Sequence, residues 1–363
     1  MAVFGSTVTG GDNVALVIRP ALELTPLEQL FTVVEGVKAK TKVTVLGTTG
    51  KITKADGGCG VGATATTLPT TNYVWDPHEM KSWLTFCNKN DRASLLATGL
   101  SLGYEAKDVS TAVVAVTDGT GTTAQNEIVG EILLAISNQA SAEDLLRQSI
   151  FGDTAMTLTS ETIPGVLWED LDIADYTAYD GMLKQVFAIV AADATRRYTI
   201  TQNGLTTYAL QDALTAGQSK TIFQALRKGA SPRLKRQSDI RFVISQSIWD
   251  NWVEYRESQG LETSFQKQID GTVEATFNGW PVTVLPEYDQ WIQSDFINGT
   301  KYTLPRHFAM LYSLSFNQLG VDTSDEAMKT KVFFDDTTDL LHIKSEYAVD
   351  VKVPFADMIQ VAY

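Results

Sequence analysis

The chain has 363 residues, of which 44% are hydrophobic and 20% charged; this composition argues against general disorder, and the length suits two domains or one elaborated one. Its 29 basic and 43 acidic residues leave a net charge of −14, which speaks against a protein whose main task is gripping nucleic acid, because that affinity comes largely from cationic contacts to phosphate. No apolar run nears the length of a membrane span, the opening MAVFGSTVTGGDN lacks signal-peptide regions, and Cys59 and Cys87 have no redox or zinc spacing, so folding in the cytosol with no membrane partner is expected.

Residues 1–23 read as a small, Gly-rich arm, and the N-terminal segment 1–40 also holds a short helix. Thr25-Pro26-Leu27-Glu28 supplies a cap, a proline at the first helical position and a returning glutamate. Leu27, Leu30, Phe31 and Val34 follow at one-face spacing, and Gly36 is the expected stop. Residues 41–75 change character, becoming rich in Thr, Gly and Val with few large apolar groups. They predict an extended, hairpin-like excursion without a core of its own, ordered by packing on something outside this chain. A second helix is expected from Asp76-Pro77-His78-Glu79, with Met80, Trp83, Leu84 and Cys87 as its stripe.

From about residue 124 to 150, Ile128, Ile132, Ala135, Gln139, Ala142, Leu146 and Ile150 stay in phase at 3.6 residues per turn. Ser141 and Asp144 could cap a fresh helix, but the phase coherence predicts one helix of about 40 Å at 1.5 Å per residue. Residues 166–320 read as mixed α/β. Asp180 is the expected cap of a helix striped by Met182, Leu183, Val186, Phe187 and Val190, and a further helix spans 219–228, stopped by Gly229. IRFVIS (240–245) is a strand running into a helix capped by Ser245 or Ser247, with Ile248, Trp252 and Tyr255 inward; WPVTVLP (280–286) and RHFAMLYSL (306–314) are further strands.

The end of the chain is the most regular part. Along LLHIKSEYAVDVKVPF, residues 341–353 put Leu, Ile, Ser, Tyr, Val, Val and Val at odd positions and mostly charged residues at even ones. That is a strand of roughly 40 Å with one covered face and one row in water. A strand so long needs a long neighbour. Val332 to Phe334, with Asp335-Asp336-Thr337-Thr338-Asp339 as turn chemistry, makes a C-terminal hairpin the natural answer. One domain is therefore discontinuous, 76–165 with 321–363, and a second, 166–320, is inserted into it.

Catalytic chemistry is not written in local motifs. His78, His307 and His342 have no metal-ligand spacing, and Cys59 has no base tied to it. GGCGVG (57–62) lacks the ending of a phosphate loop, and WEDLDIAD (168–175) and DTSDE (322–326) match no calcium loop. No cofactor, metal site or catalytic residue is assigned. The densest basic run is LRKGASPRLKRQSDIR: Arg227, Lys228, Arg233, Lys235, Arg236 and Arg241. In so acidic a chain these residues are candidates to meet a carboxylate surface on a neighbouring copy, the alternative being a solvated loop at a helix C-terminus.

The order of parts, arm, Thr/Gly-rich excursion, long helix, inserted α/β region and final long hairpin, resembles the major capsid protein of tailed bacteriophages, the Hong Kong 97 type. GKITKADGGCG, LLRQSIFGD, YDGMLKQVFAIVAADAT and VTVLPEYD resemble stretches of capsid proteins from phages of the Bacteroides group. The resemblance implies an α+β fold with an N-terminal arm, an extended loop (41–75), a peripheral domain with spine helix and long hairpin, and an axial domain (166–320). It implies a non-enzymatic shell protein that forms hexamers and pentamers around double-stranded DNA without binding it specifically. Portal, scaffold or decoration proteins are possible partners. Lys51 and Lys54 fall where some relatives carry a cross-linking lysine; no matching motif is present, so they are only contact candidates. An enzyme with its site in 166–320, or a β-rich tail or adhesion protein, are the rival readings.

Overall fold

The computed structural model describes residues 27–46, 70–87, 124–158, 166–260, 266–267, 273–322, 329–335, 338 and 340–363. The first helix, α1, is a single turn, Leu27–Leu30, and the chain then becomes a strand, β1, Thr32–Val34. The expected helix to Gly36 stops early because Leu30 and Phe31 enter the main core and the β-branched run behind them finds a strand partner. Gly36 makes the turn, at φ +81°. β2, Thr41–Leu46, and β3, Thr70–Trp75, pair antiparallel along their whole length, so the excursion expected at 41–75 is a two-stranded ribbon at its base. Its remaining residues, Lys51 and Lys54 among them, lie outside the described residues.

The helix expected after Asp76-Pro77 is a strand instead, β4, His78–Cys87. The same residues also alternate: Met80, Ser82 and Leu84 are partly buried, whereas Lys81, Trp83 and Thr85 are exposed. Trp83 thus lies outside the core that a helical stripe would have given it. The long helix, α2, runs unbroken over Ala124–Phe151, 28 residues or about 42 Å. Leu146 and Ile150 are buried as expected, but Ala142 is exposed and Ser137, Ser141 and Ser149 take the buried face. Small hydroxyl side chains allow close approach to neighbours and find partners there; Ser141 donates to Ser82 Oγ of β4 at 3.3 Å.

Two short strands, β5 (Thr157–Leu158) and β6 (Val166–Leu167), pair in parallel before α3, Met182–Ala192. The N-cap of α3 is Gly181, not Asp180, whose carboxylate accepts from the Thr154 amide at 3.0 Å and from Lys184 at 2.7 Å. β7 (Arg197–Tyr198), α4 (Tyr208–Asp212) and α5 (Gln218–Gly229) follow. β8, Ile240–Ser245, leads directly into α6, Gln246–Ser258. Ser245 stands at the cap position, but its hydroxyl accepts from the Phe308 amide instead.

β9 (Gln266–Lys267), β10 (Val273–Phe277) and β11 (Trp280–Leu285) precede a helix missing from the sequence reading, α7, Pro286–Ser294. Pro286 at its first position and Glu287 and Asp289 in its first turn are ordinary start signals, obscured by the apolar strand they terminate. β12 (Ala309–Ser313) is shorter than expected; β13 (Gln318–Val321), β14 (Lys329–Asp335), β15 (Leu340–Lys352) and β16 (Ile359–Ala362) complete the chain.

β15 is the axis of a five-stranded sheet. One edge pairs with β4 over Leu340 to Val349; the other pairs with β14 and then β13, which is flanked in parallel by β1. The expected hairpin is present and gains a third long strand. Ile343, Val349, Val351 and Val353 are buried as the alternation requires. Asp350, on the row expected in water, is only 2% exposed: it accepts from the Asp76 amide at 2.7 Å and pairs with Lys352 at 3.1 Å. Burial raises its pKa, opposed by that amide and by Lys352.

The second sheet has seven strands in the order β7-β16-β12-β8-β11-β10-β9. β16, read from the sequence with the outer hairpin, belongs here. The sheet's centre is buried on both faces, which is why IRFVIS is nearly all buried: Phe242 and Ile244 enter one core and Val243 the other. The core containing Val243 continues through Ile150, Met182 and Val186 to Leu319, Val349 and Val351, so one apolar body joins α2, α3 and both sheets.

Candidate functional site

At one end of the seven-stranded sheet, the turn after α4, one face of α6, α7 and Arg306 border an open hollow of about 490 Å³ lined by Asp212, Ser247, Asp250, Glu254, Asp289 and Arg306 among others. Arg306 is nearly buried. Its Nε donates to Asp212 at 2.7 Å and its Nη1 to Asp289. Burial works against the guanidinium charge, but Asp289 and Asp212 outweigh it and leave the Arg306 pKa above its ordinary value. Burial pushes Asp289 up to about 6 in spite of Arg306 and the Ser247 amide, which donates to its other oxygen at 2.9 Å.

Beside this pair lies His307, which is 0% exposed. Nε2 is 2.7 Å from the Gln211 carbonyl and Nδ1 is 2.8 Å from Ser247 Oγ. Burial, then the charge on Arg306, pushes the imidazole down to about 4, so it is neutral at pH 7. A carbonyl only accepts, so Nε2 carries the proton and Nδ1 accepts from Ser247. The remaining donors follow in order: Phe308 N–H to Ser245 Oγ at 3.2 Å, Ser245 to Ser247 at 3.0 Å, Ser247 to His307, and His307 to Gln211.

A serine on a histidine nitrogen is the beginning of a nucleophile–base pair. Four features argue against that role here. The imidazole is too weak a base. Its far nitrogen meets a carbonyl rather than a carboxylate. The amide that might stabilise an oxyanion, Ser247 N–H, is taken by Asp289. The hollow carries Asp212, Asp250, Glu254 and Asp289, which repel developing negative charge. Sequence reasoning had no means of pairing Ser247 with His307, 60 positions away. Among the described residues no group of three or more His, Cys, Asp or Glu is placed to hold a metal, and no helix is long and apolar enough to cross a membrane. The carboxylates of residues 169–175 are exposed, and Asp172 caps a single turn through the Ala174 amide.

The basic run lies at the other end of α5. Lys228 ends the helix exposed; Arg233, Lys235 and Arg236 are exposed in the turn that follows. Arg233 is neutralised by Asp357 at 2.6 Å, and Lys235 reaches the Lys228 carbonyl at 3.4 Å. Arg227, Lys228 and Arg236 make no ion pair among the described residues. Arg241 stands apart, donating to the Gln29 carbonyl at 2.8 Å and tying β8 to α1.

A third surface is the β2–β3 ribbon. Trp75 is 4% exposed and packs on Gly320 of β13, and Tyr73 reaches Gln318 at 3.4 Å. Beyond this foot Thr41, Lys42, Thr44, Thr70, Thr71, Asn72 and Val74 are exposed.

No family model and no curated protein matches the sequence. Solved structures do. The chain is similar to one from Mycobacterium phage Bobi, with a TM-score of 0.50 at 12% identity over 98% of this chain and 95% of that one. It also matches the asymmetric unit of the bacteriophage PhiM1 mature capsid, TM-score 0.47, 11% identity, over 100% and 91% of the two chains. A third match is the cyanophage A-1(L) capsid asymmetric unit, TM-score 0.47, 12% identity, over 93% and 92%. Identities this low speak to architecture alone: a helix of 28 residues beside a sheet built on β15, with a second α/β sheet, is an α+β arrangement shared with the structure from Mycobacterium phage Bobi.

Proposed function

We propose that the chain is the major shell protein of a tailed phage, assembling into hexamers and pentamers that close around double-stranded DNA. The ribbon carries this reading. Among its described residues Trp75 and Tyr73 tie it to the five-stranded sheet, and most of the others face solvent, as in a segment meant to lie across another subunit. Two of the similar structures are phage capsids, which supports the same role.

In this reading 76–165 with 321–363 is the peripheral domain and 166–320 the axial one, β16 excepted. Lys51, Lys54 and the basic end of α5 are contact candidates between subunits. Assembly takes place in the host cytoplasm, with portal, scaffold or decoration proteins as further partners. The charge of −14 suits a wall that lets packed DNA slide; a basic concave face would contradict that part.

Negative-stain electron microscopy of the purified chain tests the proposal. Closed shells or six-fold and five-fold rings are expected; uniform monomers at every concentration would sink it.

A further inference from the structure

The acidic hollow lies beside the start of α5, and the basic run lies at its end. At its start the Thr215 carbonyl and the Ser219 amide hold the side chain of Asn251, at 3.0 Å each, which seats this end against the hollow. At its other end Gly229 abuts Gln360, and Ser231 donates to the Asp357 carbonyl at 2.6 Å. Twelve residues of helix separate the two, about 18 Å.

At the cationic end Arg233 is neutralised by Asp357. Arg227, Lys228 and Arg236 have no anionic partner among the described residues, in a protein with 43 carboxylates and 29 cations. The hollow has the converse surplus. Its one lining cation among the described residues, Arg306, is held by Asp212 and Asp289. Asp250 and Glu254 also line it, one turn apart on α6, and neither makes an ion pair among the described residues. Like charges at that spacing cost helix stability, and among the described residues Asp250 is met by the neutral Gln246 amide, which donates to it at 2.6 Å, rather than by a cation. A volume of about 490 Å³ accommodates the head of an arginine or lysine side chain.

We propose that the basic end of one copy, Lys228 and Arg236 foremost, docks against Asp250 and Glu254 in the hollow of a second copy. The inference rests on the self-assembly reading and names a contact within it. Donor and acceptor lie at different places on the molecule, so the contact is head-to-tail and closes a ring wherever its rotation permits. Both copies are acidic overall, so this local complementarity fixes the register against a general repulsion and weakens as salt rises.

The test is charge exchange in the full chain, with assembly followed by sedimentation velocity and folding by circular dichroism. Lys228→Glu with Arg236→Glu is expected to raise the concentration for half-assembly by about tenfold or more. Asp250→Lys with Glu254→Lys is expected to do the same. Placing all four changes in one chain re-creates the contact with its signs reversed and is expected to return assembly to within about threefold of the unmodified protein. An acidic-pair variant that folds and assembles normally overturns the contact while leaving the shell reading intact. So does a four-fold variant in which the losses add. So does stoichiometric binding of calcium to the monomer that disappears in the acidic-pair variant, which would make the hollow a cation site. An unmodified chain that never assembles overturns both readings.

Discussion

The amide nitrogen of Gly181 donates to the carbonyl oxygen of Gly152 at 2.8 Å, joining the end of the long helix α2 to the start of α3 by backbone alone. A Cβ on Gly152 would stand 2.4 Å from the Tyr179 carbonyl oxygen, and one on Gly181 would stand 2.7 Å from that of Gln148. Neither neighbour is a side chain that can swing away. Gly152→Ala and Gly181→Ala are each expected to destabilise the fold by about 2 kcal/mol, read as a lowered thermal midpoint. An unchanged midpoint in both would show that the joint has slack.

The buried imidazole gives a pH dependence with a definite sign. His307 is pushed down to about 4, below its usual 6.5, so the unfolded chain binds the extra proton first. Its neutral form contributes fully above pH 6.5, and that contribution is lost as the pH falls through 6.5 towards 4. Asp289, raised to about 6, acts oppositely, adding stability as the pH falls from 6 towards its ordinary value. Subtracting the stability of His307→Gln from that of the unmodified protein cancels the aspartate. The difference is expected to shrink by about 3 kcal/mol between pH 7 and pH 4. A flat difference in urea titrations across that range would mean that His307 is not buried neutral.

Ser247 is expected to behave as a lock and not as a nucleophile. Ser247→Ala removes one donor from His307 and should cost about 1 kcal/mol. A fluorophosphonate probe should leave the unmodified protein unlabelled. Stoichiometric labelling lost in Ser247→Ala would revive the enzyme reading.

Trp75 holds the foot of the ribbon against Gly320, where an added Cβ would meet its ring at 2.6 Å. Trp75→Ala should cost about 3 kcal/mol. Because the ribbon stands away from the seven-stranded sheet, limited proteolysis should then cut within 41–75 before it touches 240–313. Simultaneous loss of both regions would show that the ribbon foot is integral to the whole fold.

Elements governed by their own periodicity were legible in the sequence. Residues 341–353 alternate without a break, 240–245 is apolar on both faces, and the long helix keeps one phase through Leu146 and Ile150. β4 was not legible, because Asp76-Pro77 with Met80, Trp83, Leu84 and Cys87 satisfies a helix as well as a strand. Ten register pairs with β15 decide the matter, and no local rule sees them. α7 was concealed by the strand before it. The site was less legible than the fold. The basic residues were visible as a run, but the hollow gathers Asp212, Ser247, Asp289 and Arg306 from four separate segments.

β15 is bonded along both edges, and after six residues the same chain enters the other sheet as β16. Gln185 of α3 grips the passage, donating to the Val351 carbonyl at 2.6 Å and accepting from the Val353 amide at 2.9 Å. Tension on the Leu340 end therefore loads the whole β4 ladder in shear rather than peeling it pair by pair, and whatever passes the grip is delivered to the second sheet. The last two dozen residues are a mechanical tie that passes load from one sheet to the other.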